Sequence, residues 1–196
     1  HPHHADEHAD LSEDDLATAA GHPRVIGLGE TGLDYYYDRS DRAVQQRLFR
    51  RHIAVSRQLD LPVIIHTRDA EDDTLAILSD EMAKGPFPAL IHCFTASAEF
   101  GNAVLDLGLS ISISGIATFK NATDLADFAT RIPEDRLLVE TDSPFLAPVP
   151  HRGKPCEPAF VADTARFLAD RRGVTPAALA RATSANFHRL FTKAAV

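Results

Sequence analysis

The chain has 196 residues, of which 44% are hydrophobic and 24% are charged, and its formal net charge is −8. This length fits one domain, no apolar run approaches the roughly 20 residues of a transmembrane helix, and the negative charge argues against tight, salt-driven binding of duplex DNA. Two cysteines do not make a disulfide framework. We therefore expect a single domain over residues 1–196 in the cytoplasm, with reduced thiols and no membrane contact.

Short apolar stretches alternate with helical patterns along the chain. The predicted strands cover residues 24–30, 61–66, 89–94, 109–115 and 137–142. Their apolar runs are mostly unbroken, which is typical of parallel strands covered on both faces. The predicted helices begin after Ser40 or Asp41, near Glu71, after Ser97, near Asn121, near Glu157 and at Thr175. This alternation predicts an α/β protein with right-handed parallel crossovers.

The number of strands leaves two architectures open. Five strands could form an open doubly wound sheet or most of an eight-stranded barrel. Four of the five run into a residue of metal-ligand type, and a closed barrel brings such residues to one axis, whereas an open sheet collects its ligands at one switch point. A complete barrel typically needs about 250 residues. We therefore predict a TIM-type (β/α)8 barrel that is incomplete, with about five strands present and the amino-terminal strands missing.

The residues at the strand ends are Glu30, His66, His92 and Asp142. A mixed set of carboxylates and imidazoles is typical of a divalent metal site. Glu30 has two oxygens that could bridge two cations, or it could be a solvated residue of a surface turn. Arg68 lies two residues beyond His66, where it could hold a phosphate oxygen by a forked contact. The alternative is a strand-end histidine bonded to backbone, with Arg68 in a surface ion pair.

The last strand ends on a residue with two possible roles. Asp142 could bind a metal and also accept a proton from metal-bound water, or it could cap the turn before Ser143-Pro144. Glu140 shares one side of the predicted strand with Asp142. Cys93 follows His92 by one residue, so we expect it to point away from the site into the core. The remaining histidines that receive no site role are His8, His22, His52, His151 and His188.

Taken together and in order, these motifs resemble the TatD family of metal-dependent deoxyribonucleases, a branch of the amidohydrolase-like barrels. The matching segments are residues 1–3, 29–34, 66–70, 92–95 and 140–144, with Thr183, Asn186 and Leu190-Phe191 near the end. The resemblance covers nearly the whole chain. It is more specific for the family than for the substrate.

The resemblance implies a ligand set for two divalent metal ions, Mg²⁺, Mn²⁺ or Zn²⁺. Glu30 would bridge the two ions, His66 and His92 would hold one of them, and Asp142 would hold the other.

The resemblance also implies substrate contacts near the scissile phosphate, made by His1 and Arg68. In two places the chain departs from the family pattern. The His-x-His pair of the family's first strand is absent, because His1-Pro2-His3 matches a later motif. Residues 154–158 read Lys-Pro-Cys-Glu-Pro where the family usually has Arg-Asn-Glu-Pro.

Three hypotheses about function follow. The leading one is a monomeric two-metal phosphodiesterase of the 3'-5' exonuclease kind that acts on DNA, with single strands or ends as substrate and Asp142 as proton acceptor. The second is a related barrel hydrolase that cleaves an amide, a lactone or an ester. The third is an inactive fragment or binding module, because the absent His-x-His pair removes two ligands of one metal.

Overall fold

The computed structural model describes residues 1–194, and the chain divides into two compact units. Unit 1 comprises His1–Ile91, Asp106–Leu109 and the chain from His188 onward, and unit 2 comprises His92–Leu105 and Ser110–Phe187. Within the described residues, no helix is both long and apolar enough to cross a membrane.

Unit 1 contains three parallel strands with helices between them. The strands are β1 (Leu28–Asp34), β2 (Val63–Arg68) and β3 (Ala89–Ile91), and the helices are α1 (Glu13–Ala20), α2 (Arg42–Leu59) and α3 (Glu71–Lys84), preceded by a 3-10 helix over Pro2–His8. β2 pairs with β1 on one side and with β3 on the other, and both pairings are parallel. The register places Gly32 of β1 opposite His66 of β2.

Unit 2 repeats the strand–helix alternation. Its strands are β4 (Ser110–Ile113) and β5 (Leu137–Val139), its helices are α5 (Thr123–Arg131), α6 (Val161–Arg172) and most of α4 (Ala98–Asp106) and α7 (Pro176–Leu190), and its 3-10 helices cover Gly115–Thr118, Glu134–Arg136 and Pro158–Phe160. β4 and β5 are parallel, with Ile111 opposite Leu137. Three phenylalanines of this unit pack together. The centroid of the Phe94 ring lies 5.0 Å from that of Phe128 and 6.4 Å from that of Phe100.

The core of unit 1 is mostly apolar but encloses several polar side chains. Fully buried side chains from α2, α3 and the strands fill it, including Phe49, Ile53, Ile65, Leu78 and Ile91. Glu81 of α3 is buried as well, and its carboxylate receives Arg50, Arg57 and Lys84 at 3.1, 3.2 and 2.6 Å. Burial alone would raise the pKa of Glu81, but the hydrogen bonds from these three cations outweigh it and lower the pKa.

All five predicted strands exist, but three sets of bounds were wrong, including that of β3, which was predicted over residues 89–94 and ends at Ile91. The first strand was predicted over residues 24–30, whereas β1 runs from Leu28 to Asp34, so Glu30 lies inside the strand and not at its end. The strand was predicted to end at Glu30, but it continues to Asp34, and Gly32 lets two backbones come close: a Cβ on Gly32 would lie 2.0 Å from the His66 carbonyl oxygen. β5 was predicted too long, since it ends at Val139.

The predicted helices are present, and one helix was missed. Asp41 caps α2 by accepting a hydrogen bond from the Val44 N–H, and α3 begins at Glu71 as predicted. The missed helix, α1, begins with a capping box in which Ser12 and Asp15 satisfy each other's backbone N–H groups.

Candidate metal centre

The first two strands bring Glu30 and His66 into contact within unit 1. His66 Nδ1 lies 2.8 Å from Glu30 Oε1, and the side chains are 18% and 28% exposed. The close approach of β1 and β2 at Gly32 sets this distance, since any larger residue there would push the strands apart. The two predicted ligands are thus adjacent and accessible from solvent.

His1 joins this pair from the start of the chain. Its Nε2 lies 3.3 Å from Glu30 Oε1, and its ring centroid lies 4.7 Å from that of His66. His1 also caps the first 3-10 helix, because its Nδ1 accepts a hydrogen bond from the His3 N–H at 3.1 Å. With Nδ1 accepting, Nε2 carries the ring proton and presents a donor beside Glu30. His1 becomes a metal ligand only in the other tautomer.

Asp34 belongs to the candidate site, although the sequence alone assigned it no role. It is fully buried at the end of β1, and its Oδ2 lies 2.9 Å from His66 Nε2 and 2.8 Å from His3 Nε2. Its Oδ1 accepts a hydrogen bond from the Tyr37 N–H at 2.8 Å. Burial would raise the pKa of Asp34, but the hydrogen bonds from Tyr37, His3 and His66 outweigh it and lower the pKa. Asp34 is therefore a carboxylate that holds two imidazoles.

This carboxylate fixes the orientation of His66. An ionised Asp34 can only accept hydrogen bonds, so His66 Nε2 carries a proton, and this leaves Nδ1, beside Glu30, as the nitrogen that could bind a cation. A carboxylate that orients a metal-ligating histidine in this way is common in metal sites. Strand alternation could have revealed Asp34, because residues 30, 32 and 34 of β1 lie on one side. The wrong bounds of the first strand hid this pattern.

The ligand atoms of this cluster are of the type that binds a divalent cation. Ligand atoms of His1, Glu30 and His66 all lie within 4.8 Å of one another. Two ligands that each lie about 2.1 Å from one ion cannot be more than about 4.2 Å apart, and Glu30 Oε1 and His66 Nδ1, which are 2.8 Å apart, meet that condition. One carboxylate with imidazole nitrogen suits Zn²⁺ and Mn²⁺ well.

The other two predicted ligands lie in unit 2. His92 follows β3 directly, as predicted, and its Nδ1 lies 3.2 Å from Glu140 Oε1. The same carboxylate oxygen accepts the Cys93 N–H at 2.6 Å. Asp142 follows the end of β5 by three residues, and its carbonyl accepts the Phe145 N–H at 2.6 Å.

Two expectations about this segment were wrong. Cys93 was predicted to be a core residue of a strand, but β3 ends at Ile91 and Cys93 is only half-buried, with a φ of +43° and its Sγ 3.1 Å from Ser114 Oγ. Glu140 was placed beside Asp142 by strand alternation, which does not apply beyond Val139. Glu140 instead contacts His92 and Cys93.

Arg68, the predicted phosphate contact, ends β2 and is exposed. The alternative prediction placed Arg68 in a surface ion pair, but no ion pair within residues 1–194 includes this arginine. Its guanidinium carbon lies 3.9 Å from the centroid of the Tyr36 ring. The donors of this guanidinium therefore remain available for an anion.

Parallel strands that alternate with helices, together with an accessible carboxylate–imidazole cluster, define an α/β protein with a candidate metal site. Comparison with known proteins identifies the family. The model of the TatD related DNase family matches residues 1–192, and the chain belongs to that family.

Relatives and solved structures agree with this assignment. The metal-dependent hydrolase YcfH of Escherichia coli K12 is 52% identical over 178 residues, which are 91% of this chain and 67% of YcfH. The 3'-5' ssDNA/RNA exonuclease TatD of Erwinia billingiae is 37% identical to this chain. The aligned region covers 97% of this chain and 75% of that exonuclease. The crystal structure of YJJV, a TatD homolog from E. coli K12, superposes on this chain with a TM-score of 0.88 and 28% sequence identity. The superposed region covers 98% of this chain and 74% of the YJJV chain. The predicted barrel-type α/β fold is thereby confirmed.

Proposed function

We propose that this chain is part of a phosphodiesterase that removes nucleotides from the 3' ends of DNA strands, with single strands or frayed ends as substrate. The observation that carries the proposal is the cluster of His1, Glu30 and His66, with the available guanidinium of Arg68 on the same strand as His66. His66 and Arg68 are two residues apart, so they lie on the same side of β2. A relative named as a single-strand exonuclease supports the choice of substrate.

We propose two divalent ions as cofactors, with Glu30, His66, His92 and Asp142 as ligands. When bound, such ions polarise a phosphoryl oxygen and lower the pKa of water, so that hydroxide is available near neutral pH. Asp34 keeps His66 in the tautomer that can bind a cation.

The remaining steps fall to side chains of this chain. Arg68 would hold the two non-bridging oxygens of the scissile phosphate by a forked contact, and the His1 N–H would donate to the bridging 3' oxygen that leaves. Asp142 would accept the proton of the attacking water. As the water oxygen forms its bond to phosphorus, the bond from phosphorus to the leaving 3' oxygen breaks and a nucleotide is released.

The test is release of nucleotides from a single-stranded oligonucleotide in Mn²⁺ or Mg²⁺. Asp142→Asn should lower kcat about 10²- to 10⁴-fold, the usual contribution of a general base. Asp170→Asn is the matched control, because Asp170 is an exposed acid of α6 in the same unit. Full activity of the Asp142 variant would contradict the assigned role.

Parallel assays separate the alternatives. A set of carboxylic esters, lactones and amides should be hydrolysed more slowly than the oligonucleotide. A clear preference for one of these would replace the nuclease proposal with a related hydrolase. Absence of hydrolysis of any substrate by metal-loaded protein would favour a binding module.

A further inference from the structure

Beside the metal cluster, unit 1 exposes an aromatic surface made of Tyr36 and Tyr37. They lie two and three residues beyond the end of β1, and 56% and 47% of their surfaces are exposed. The two rings meet edge to face, with centroids 4.9 Å apart and an interplanar angle of 88°. Exposed aromatic residues scattered singly need no explanation. Two adjacent, mutually packed rings at the end of a strand that carries candidate ligands are a different case.

Two arginines contact these rings and have their donors available. The guanidinium carbon of Arg68 lies 3.9 Å from the Tyr36 centroid and 4.9 Å from the Tyr37 centroid, and that of Arg39 lies 5.1 Å from the Tyr37 centroid. Within residues 1–194, neither guanidinium donates a hydrogen bond or joins an ion pair. The neighbouring acid, Asp38, is paired with Arg42 instead. The tyrosines thus hold two cations in place by cation–π contact, on a chain whose net charge is −8.

The aromatic surface is continuous with the candidate metal cluster. The Tyr37 ring packs edge-on against His3 at 5.1 Å, and His3 lies 4.2 Å from His1. The Tyr37 N–H also donates to Asp34, which holds His66. A molecule bound on these tyrosines therefore lies next to the cluster, and the backbone that carries Tyr37 is fixed by the same carboxylate that orients His66.

Exposed aromatic rings with guanidinium groups stacked against them match one ligand class. An unpaired nucleobase offers a flat face for stacking, and its backbone phosphate offers oxygens to arginine. In a duplex the base faces are covered by neighbouring pairs, so stacking on a protein ring requires a flipped or terminal base.

We infer that Tyr36, Tyr37, Arg39 and Arg68 form a stacking platform that binds the unpaired bases of a single strand beside the candidate metal cluster. The inference rests on the proposed function for its substrate class and adds a cause for selectivity: single strands bind better than duplexes because only they expose base faces. Tyr36 and Tyr37 supply the stacking, and the two arginines hold the phosphates of the same nucleotides.

The composition of the chain provides a direct probe. Its three tyrosines are Tyr35, Tyr36 and Tyr37, and it has no tryptophan, so intrinsic fluorescence reports on this loop. The chain is titrated with a single-stranded oligonucleotide in EDTA, which prevents hydrolysis, at low ionic strength. We expect tyrosine fluorescence to be quenched as bases stack. A strand of abasic residues with the same number of phosphates should bind more weakly and leave the fluorescence unchanged, and a blunt duplex of the same sequence should behave like the abasic strand.

Variants then assign the effect to the rings. Tyr36→Ala and Tyr37→Ala should each weaken single-strand binding roughly tenfold, as is usual when a stacking ring is lost, whereas Tyr36→Phe keeps the ring and the affinity. Val174→Ala, at another exposed apolar residue, is the control for loss of exposed apolar surface. Binding is followed by anisotropy of a labelled oligonucleotide, and circular dichroism checks that each variant is folded.

The outcomes separate this inference from the proposed function. Equal affinity for the normal and abasic strands, or wild-type affinity in both alanine variants, would overturn the platform. Hydrolysis is measured separately on bis(4-nitrophenyl) phosphate, which carries no base. If that diester is cleaved but oligonucleotides do not quench the tyrosines, the platform fails and the phosphodiesterase stands. If oligonucleotides quench the tyrosine fluorescence but no diester is cleaved, the platform stands and the phosphodiesterase proposal fails.

Discussion

Replacement of Asp34 by asparagine tests how the candidate metal cluster is organised. Asparagine keeps the carbonyl oxygen that accepts the Tyr37 N–H at 2.8 Å, but an amide NH₂ takes the place of the oxygen that faces His66 and His3 at 2.9 and 2.8 Å. That NH₂ can only donate. His66 Nε2 would then accept a hydrogen bond, and the ring proton would move to Nδ1, the atom that faces Glu30 and a bound cation.

The expected consequence is weaker metal binding by a protein that still folds. Loss of the group that orients a ligating histidine usually lowers metal affinity about 10- to 100-fold, which corresponds to about 1.4–2.7 kcal/mol. The assay is a calorimetric titration of metal-free protein with Mn²⁺. Asp73→Asn is the matched control, because Asp73 is exposed and its carboxylate contacts Tyr35 and not the cluster. A folded Asp34→Asn protein with wild-type affinity for Mn²⁺ would refute this reasoning.

Three further predictions concern packing, charge and substrate. Gly32→Ala should destabilise the chain by about 3 kcal/mol or more and weaken metal binding, because its Cβ would overlap the His66 carbonyl; Gly153→Ala, also at positive φ but with open space around it, should cost only about 1 kcal/mol in urea unfolding. Glu81→Gln should lower the unfolding free energy by about 2 kcal/mol at pH 7. Because the folded pKa of Glu81 is lowered, its contribution is present above its ordinary pKa of 4.5 and is lost as the pH falls through the folded value, so the two proteins should converge in acid. Arg68→Lys keeps the charge but loses the forked contact, so KM for an oligonucleotide should rise roughly tenfold; an unchanged KM would speak against a phosphate contact.

Patterns within a few neighbouring residues were sufficient to predict an element of secondary structure where the element depends on those residues alone. The apolar run from Ala89 predicts a strand over residues 89–94, and a strand does begin at Ala89, although it ends at Ile91. Asp41 predicts a helix start because its side chain can cap a helix, and it does cap α2. Glu71 predicts one because the apolar residues take up helical spacing there, and α3 does begin at Glu71. Because these signals lie within a few residues of each other, no knowledge of distant partners is needed.

Where distant parts of the chain meet, local patterns failed. Residues 31–34 were predicted to lie beyond the first strand, whereas they pair with the backbone of β2, more than 30 residues away. Asp34 was overlooked for the same reason, since its partners, His3 and His66, lie 31 and 32 residues from it. The resemblance to a family supplied the candidate ligands, but it did not supply the carboxylate that orients them.

The measurement that tests the central claim most directly is the number of divalent ions bound per chain, obtained by elemental analysis after loading with Mn²⁺ or Zn²⁺ and dialysis. Wild-type protein should retain bound metal, and Glu30→Gln should lose most of it, because glutamine keeps the size of the side chain but removes the charge that His1 and His66 face. Glu13→Gln, at an exposed acid of α1, should retain the wild-type content. Equal metal content in the wild type and a folded Glu30 variant would contradict a metal centre built on Glu30.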